Sequence, residues 1–340
     1  MTGLFWRRFK KNILKKTASF MIKSRKKPGQ QRHIREWSDL PPELLSLIAE
    51  CAGPFELRSF KSVCKAWNSA SSTALAQIIE TELNQGPWFL LFNDENSECQ
   101  VLTGSCKKLT TSLPELNGIS CLATYQGWLL LFKQGCGSMF FFNPFSRDMI
   151  DLPEFPDSEL TDHVAAISCL PTSQDCVVCV ISRSNDAELG AKVLYLGEDQ
   201  EWTETKHSCS RVDIDTIKCA VYHIGKFFFF DHRTDRALTL STENRAHNWM
   251  TQNIITRRGI VNAPGLFFFG MTELEKNLKN MKKKLGLTDQ GVSISTCGTV
   301  TPSNGLPKFI FNESMSDHVD ECKNRHFKGV WMQPKLKQNL

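Results

Sequence analysis

Hydrophobic positions recur with two different periods along this chain, and the change falls near Leu83. From Leu40 to Leu83 they come three and four residues apart. Leu44, Leu45, Ile48 and Cys51 form one apolar stripe of a helix. Ser38 and Asp39 are placed to accept its first free N–H groups, and Pro41 and Pro42 suit a first turn that needs no N–H. Gly53-Pro54 breaks that helix. A second is predicted with Leu57, Phe60, Val63, Cys64 and Trp67 on one face, and a third with Leu75, Ile78, Ile79 and Leu83. Three short helices in about fifty residues cannot bury all these stripes among themselves, so part of that surface should face a partner.

Beyond Leu83 the pattern becomes strand-like. Short hydrophobic runs bounded by Gly, Pro, Asn, Asp and Ser appear at Pro87–Phe92, Gly127–Phe132, Met139–Phe142, Cys176–Ile181, Lys192–Leu196, Lys226–Phe230, Leu266–Phe269 and Lys308–Phe311. Phenylalanine and branched residues dominate them, as buried strands require. Gly86, Gly127, Gly225, Gly265 and Gly305 each lead such a run, at steps of 41, 98, 40 and 40 residues. Cys176–Ile181 falls inside the double step. A repeat of about 40–50 residues with several short strands per unit is the sequence sign of a β-propeller. The expected architecture is therefore α+β and multidomain: a small N-terminal three-helix module, then an all-β propeller-like domain. That domain would have about six blades, with five, seven or a pair of β-sandwiches as the alternatives. The boundaries read as 1–36 for a disordered basic tail, 37–83 for the helices and 84–340 for the β domain. Glu273–Lys284 is a lysine-rich helical pattern, read as an insertion on the rim, where loops do most recognition.

Charge changes the picture only at the start. The formal net charge is +5, yet residues 1–35 carry 12 Lys and Arg and no acid, which leaves 29 basic against 36 acidic residues in the remainder. Basic character belongs to the tail, and a nucleic-acid reader would carry it on the fold. Within the tail, Phe5, Phe9 and Ile13 can share a helix face, and Ser24-Arg25-Lys26-Lys27-Pro28-Gly29 is a flexible basic cluster. A nuclear-import patch, an organellar presequence and an arm for anionic membrane or nucleic acid remain open there. No apolar run approaches the ~18 residues of a membrane span, and no signal-peptide pattern is present. The 13 cysteines are odd in number and scattered, which favours free thiols in a reducing compartment over a disulfide framework.

Candidate chemistry is sparse. Cys176-Val-Val-Cys179 has knuckle spacing, but residues three apart on a strand point to opposite faces, so both read as buried structural cysteines. His318, Cys322 and His326 would share one helix face, yet Asp317, Asp320 and Glu321 beside them suggest a solvated connection before the final strand. Asp231, Asp235 and Glu243 flank a hairpin-like turn and read as surface charges. Phosphate-binding glycine loops, a Gly-x-Ser-x-Gly elbow, His-Glu-x-x-His and Ser-x-x-Lys are all missing. The sequence thus points to no catalytic residue, no cofactor and no metal.

Two resemblances add to this reading. Leu40-Pro41, Glu43-Leu44-Leu45, Ile48, Leu57, Phe60, Val63-Cys64-Lys65 and Trp67 resemble the F-box, the module that docks substrate receptors onto the Skp-type adaptor of cullin–RING ubiquitin ligases. Gly127-Trp128-Leu129-Leu130-Leu131, Phe142-Asn143-Pro144-Phe145-Ser146, Asp151-Leu152-Pro153, Ala220–Lys226 and Gly329–Pro334 resemble blades of plant F-box proteins with a kelch-like propeller domain. Together they span about residues 37–335. The resemblance implies a non-enzymatic substrate receptor of an SCF-type ligase. Leu40, Pro41, Leu44, Leu45, Ile48, Val63, Cys64 and Trp67 would bind the adaptor and, through it, cullin and RING subunits. The propeller would hold an unknown target protein, with no nucleic acid involved. Such a protein would work in nucleus or cytosol, with an organellar presequence in residues 1–35 the competing address. The rival reading is a propeller enzyme or small-molecule receptor with a merely structural helical segment.

Overall fold

A computed structural model describes residues 40–81, 88–94, 97–103, 107–160, 163–185, 188–197, 201–208, 217–223, 225–231, 236–253 and 325–332, with shorter strand segments between 256 and 309. The basic tail, Ser38, Asp39, Glu273–Lys284, His318 and Cys322 lie outside the described residues. By internal contacts the chain divides into two compact units, Met1–Glu82 with Leu336–Leu340, and Leu83–Lys335.

In the first unit, α1 (Pro42–Ala52) is capped by Pro41 with no side-chain cap bond. The Pro41 carbonyl instead accepts from the N–H groups of Leu44 at 3.0 Å and Leu45 at 3.1 Å. Gly53 ends the helix with φ +84°, a backbone conformation that glycine adopts at no steric cost. The expected second helix proves to be two elements. α2 (Leu57–Lys61) stops after five residues, and Trp67 belongs to α3 (Lys65–Thr81), which absorbs the expected third helix. Hydrogen bonding explains the break: Val63 N–H reaches back only three residues to the Phe60 carbonyl, and the Ser62 hydroxyl donates to the Ser59 carbonyl at 2.8 Å. The Cys64 carbonyl then starts α3 by accepting from Asn68 N–H.

The second unit is all-β. β1 (Trp88–Phe92), β2 (Glu98–Leu102) and β3 (Lys108–Ser112) pair in sequence. β4 (Ser120–Tyr125), β5 (Trp128–Lys133), β6 (Ser138–Phe142) and β7 (Met149–Asp151) form a four-stranded antiparallel blade. The next blade is β8 (His163–Ile167), β9 (Val177–Asn185), β10 (Glu188–Tyr195) and β11 (Thr203–Ser208), followed by β12 (Ile217–His223), β13 (Lys226–Asp231), β14 (Arg236–Ser241) and β15 (Asn248–Asn253). β16 (Thr256–Arg257) pairs with β17 (Ile260–Val261), and β18 (Phe267–Phe268), β20 (Thr299–Val300) and β21 (Lys308–Phe309) share a small sheet. β19 (Val292–Cys297) runs parallel to β22 (Arg325–Met332). His326 thus lies on a strand and not on a helix face.

β22 returns across more than two hundred residues to pair antiparallel with β1, from Trp88 opposite Met332 to Phe92 opposite Lys328. A five-stranded sheet in the order β19-β22-β1-β2-β3 is thereby built from both ends of the unit, with β22 in the first-strand place of its antiparallel part. The first strands β22, β4, β8 and β12 then neighbour one another in turn. Thr124 on β4 ties two of them by donating its hydroxyl to the Trp331 carbonyl at 2.9 Å.

Four of the eight hydrophobic runs singled out in the sequence are second strands, while Met139–Phe142 and Lys192–Leu196 fall on the third strands β6 and β10. Trp88, Trp128, Val177 and Lys226 begin the second strands, at steps of 40 and then twice 49 residues. β1 and β5 are covered on both faces, while β13 buries Phe227 and Phe229 and leaves Phe228 half-buried, so apolar character and not polar alternation marks these strands. On β9, Val178 and Val180 pack with Trp128, Phe132 and Phe141 of the preceding blade, while Cys179 and Ile181 pack with Phe227 and Phe229 of the next. Cys176 and Cys179 accordingly fall on opposite faces, as the strand period requires.

The glycines ahead of these runs have a backbone role at Gln126-Gly127. Both residues have positive φ, +44° and +85°, in the two-residue turn joining β4 to β5. In Phe142-Asn143-Pro144-Phe145-Ser146 the Asn143 carboxamide oxygen accepts from the N–H groups of Phe145 at 3.0 Å and Ser146 at 3.2 Å. That turn aims Arg147 at Glu115, 2.8 Å away, and at the Ser112 carbonyl, which links two blades.

Candidate functional site

The helical unit carries apolar residues on two sides of α1. Leu45, Ile48 and Ala49, at the i, i+3, i+4 spacing of one helix face, are buried. α1 and α2 both pack on α3, where Phe60 and Trp67 rings meet with centroids 4.3 Å apart. Leu44 and Leu47 point the other way. Leu47 is 53% exposed, and Pro41, Pro42 and Cys51 are exposed as well. In the turn between α2 and α3, Val63 is 43% exposed and Cys64 half-buried.

This geometry divides the eight residues expected to form one docking surface. Leu40, Pro41, Leu44, Val63 and Cys64 reach solvent to differing degrees. Leu45, Ile48 and Trp67 are 0%, 4% and 4% exposed. They hold the helices together and meet a partner only through the shape they impose. Leu47 was missed by the sequence reading. Its signal was present: it stands three residues after Leu44, so α1 is apolar on both sides, which a solvated helix does not need.

On the β unit, a second group gathers where first and third strands end. Tyr125 closes β4, Tyr195 closes β10 and Tyr222 is next to last on β12. They are the chain's three tyrosines. Burial pushes each phenol above its ordinary value. First and third strands of an antiparallel blade run the same way, so Tyr125, Tyr195 and Tyr222 each stand at the same end of their blade. The Tyr195 hydroxyl lies 3.3 Å from His247 Nε2, the two rings stack at 8°, and the Arg245 guanidinium sits 5.5 Å over the Tyr195 ring. Burial also lowers the His247 pKa. Each tyrosine precedes a glycine by two or three residues, Tyr125-Gln-Gly127, Tyr195-Leu-Gly197 and Tyr222-His-Ile-Gly225, and that shared spacing was readable in the sequence. Among the described residues, no group of three or more His, Cys, Asp or Glu is arranged to hold a metal ion, and no helix is long and apolar enough to cross a membrane.

Comparison with known proteins agrees with these two units. The F-box domain model matches residues 37–74, and the KIB1-4 beta-propeller model matches residues 99–282. An F-box/kelch-repeat protein of Arabidopsis thaliana is 27% identical over 204 residues, covering 59% of this chain and 55% of the relative. An F-box protein of the same plant is 28% identical over 202 residues, covering 58% and 52%. Another Arabidopsis thaliana F-box protein is 33% identical over 146 residues, covering 43% and 35%. The chain thus aligns with about half the length of the first two relatives.

Proposed function

The chain belongs to the KIB1-4 beta-propeller family and carries an F-box domain, and from that premise we propose that it is a non-catalytic substrate receptor of an SCF-type cullin–RING ubiquitin ligase. The F-box would dock the Skp-type adaptor, and the propeller would hold a target protein for ubiquitination by other chains. Transfer is then promoted by proximity, with no catalytic group supplied here. The observation that carries this reading is the second apolar side of α1. Leu47 stands outward and Leu44 is half-buried while Leu45 and Ile48 fill the core, and with Pro41, Pro42 and Val63 also exposed this side supports docking to a partner. The side bearing Tyr125, Tyr195, Tyr222 and His247 is the proposed place for the target, because ring faces with polar tips serve protein recognition well.

Co-purification with a Skp-type adaptor tests the docking half. A buried apolar anchor at an interface is worth about 2 kcal/mol or more, so Leu40→Ala with Pro41→Ala should weaken adaptor binding at least about tenfold. Unchanged recovery of the adaptor would remove the F-box role. For the basic cluster Arg25-Lys26-Lys27 we propose nuclear import. Alanine at all three should shift a fluorescent fusion toward the cytosol, and an unchanged or organellar pattern speaks against it.

A further inference from the structure

The connection between β8 and β9 carries a cysteine just beyond each paired strand end, Cys169 and Cys176. Ile167 pairs with Val178 in the register of the two strands. One step outward, Ser168 N–H donates to the Val177 carbonyl at 2.9 Å, and Val177 N–H is taken by the Ser168 hydroxyl at 2.7 Å. Ser168 and Val177 are thereby bonded to each other, one link running through the Ser168 side chain, and continuing that register by one residue would set Cys169 opposite Cys176. Opposed residues of an antiparallel pair share a face with Cα atoms about 4.5–5.5 Å apart, within the ~4.4–6.8 Å that a disulfide spans. The side chains bear this out. Cys176 Sγ donates to the Cys169 carbonyl at 3.4 Å, and both cysteines lie against the apolar cluster between the second and third blades. Both are free thiols. Within the paired registers of the described strands no two cysteines are opposed, and Cys169 and Cys176 stand just beyond the Ile167–Val178 pair.

We propose that Cys169 and Cys176 form a reversible intrachain disulfide site, oxidised by low-molecular-weight disulfides. Cys169 is half-buried and within reach of a small reagent, whereas Cys176 is fully buried. The Cys169 thiolate attacks one sulfur of the reagent, whose S–S bond breaks and releases one thiolate. Cys176 then loses its proton to water and attacks the Cys169 sulfur, and the second reagent thiolate leaves and is protonated. The cysteine pair gives up two electrons, and the reagent disulfide becomes two thiols. Burial pushes the Cys176 thiol up to about 12, so the second step is slow and the first product accumulates early. The new bond would pin the Leu170–Asp175 loop, which Ser173 already folds by accepting from Cys176 N–H at 3.2 Å.

The test treats the native full chain with oxidised glutathione, then denatures it, alkylates free thiols with iodoacetamide and maps the peptide from Asp148 to Arg183. The expected result is loss of alkylation at Cys169 and Cys176 together, full alkylation at Cys179, no lasting glutathione adduct and full reversal by dithiothreitol. With Cys176→Ser the adduct should persist on Cys169, and with Cys169→Ser the Cys176 thiol should stay alkylatable. A persistent adduct on Cys169 in the unaltered chain, continued alkylation of Cys176, or a link from Cys176 to Cys179 would overturn the proposal. The unaltered chain decides this by itself should either variant fail to fold.

Discussion

Two leucines of α1 only two residues apart have opposite fates, and that is where single substitutions separate fold from docking. Leu45 is 0% exposed and Leu47 53%. Leu45→Ala removes a fully packed side chain and should cost about 3 kcal/mol of stability. Leu47→Arg should leave the melting temperature within a degree or two of the parent, because surface changes fall within about 0.5 kcal/mol, yet abolish recovery of the adaptor. Circular dichroism melts beside co-purification check the pair, and a Leu47→Arg chain that still binds would show that this side of α1 does not face the adaptor. Legibility at this scale was partial. Leu44, Leu45 and Ile48 were visible as apolar positions, but spacing alone does not say which of two apolar sides meets α3 and which meets solvent. Histidines add a pH effect. Burial lowers the pKa of both His207 and His247, so each favours the neutral form when folded. Their contribution is complete above the ordinary histidine value and is lost as pH falls through the lower folded value. Thermal melts between pH 7.5 and 5 should therefore show a decline that His207→Gln with His247→Gln makes shallower; an equal decline in both proteins would assign it to other groups.

Strands differ in how clearly they announce themselves, and the reason is what covers them. β1, β5, β9 and β13 are second strands buried wholly or largely on both faces, so they read as unbroken apolar runs such as Trp88–Phe92. Outer strands carry no such mark. β7 and β11 present mostly exposed residues, and a sequence like Thr-Glu-Thr-Lys-His-Ser is a strand only because β10 offers it an edge with Glu188 opposite Ser208 and Val193 opposite Thr203. The break between α2 and α3 was hidden for a related reason. Helical periodicity runs on through Ser62 and Val63, and a three-residue hydrogen bond cannot be seen in it. Turns between strands are held more tightly than their polarity suggests. Gly137 has φ +65°, and a Cβ there would lie 2.9 Å from the Phe155 carbonyl oxygen, whose own N–H donates to the Gly137 carbonyl at 2.9 Å. Gly137→Ala should thus destabilise the β domain by about 2 kcal/mol through strain and a displaced connection. A denaturant midpoint unchanged from the parent would show that the loop yields freely.

At the scale of the whole β unit, closure decides stability, and closure rests on one strand. The blade built from β22 and β1–β3 joins residues more than two hundred positions apart, an arrangement invisible to any local pattern although Gly329–Pro334 looked like part of a blade. Val330, Trp331 and Met332 are buried at 1%, 4% and 0%, and the Trp331 ring packs on Phe89 with centroids 4.8 Å apart. Lys328 adds an ion pair of 2.8 Å to Asp94 and donates to the Ile119 carbonyl at 2.9 Å, reaching the start of the next blade. Removing β22 would strip β1 of its partner along five residue pairs and β19 of its partner along six. Exposed strand edges of that kind pair with other chains. A chain ending before Arg325 should therefore lose its single cooperative melt and aggregate on warming, whereas Trp331→Ala should keep one transition and lose about 3–5 kcal/mol. The contrast separates a ring held by its last strand from a row of independently stable blades: in the row, truncation would cost one blade and leave the other melts in place. Scanning calorimetry with light scattering on the two variants distinguishes these outcomes, and a truncated chain that stays soluble with an unshifted main transition would show that β22 does not close the domain.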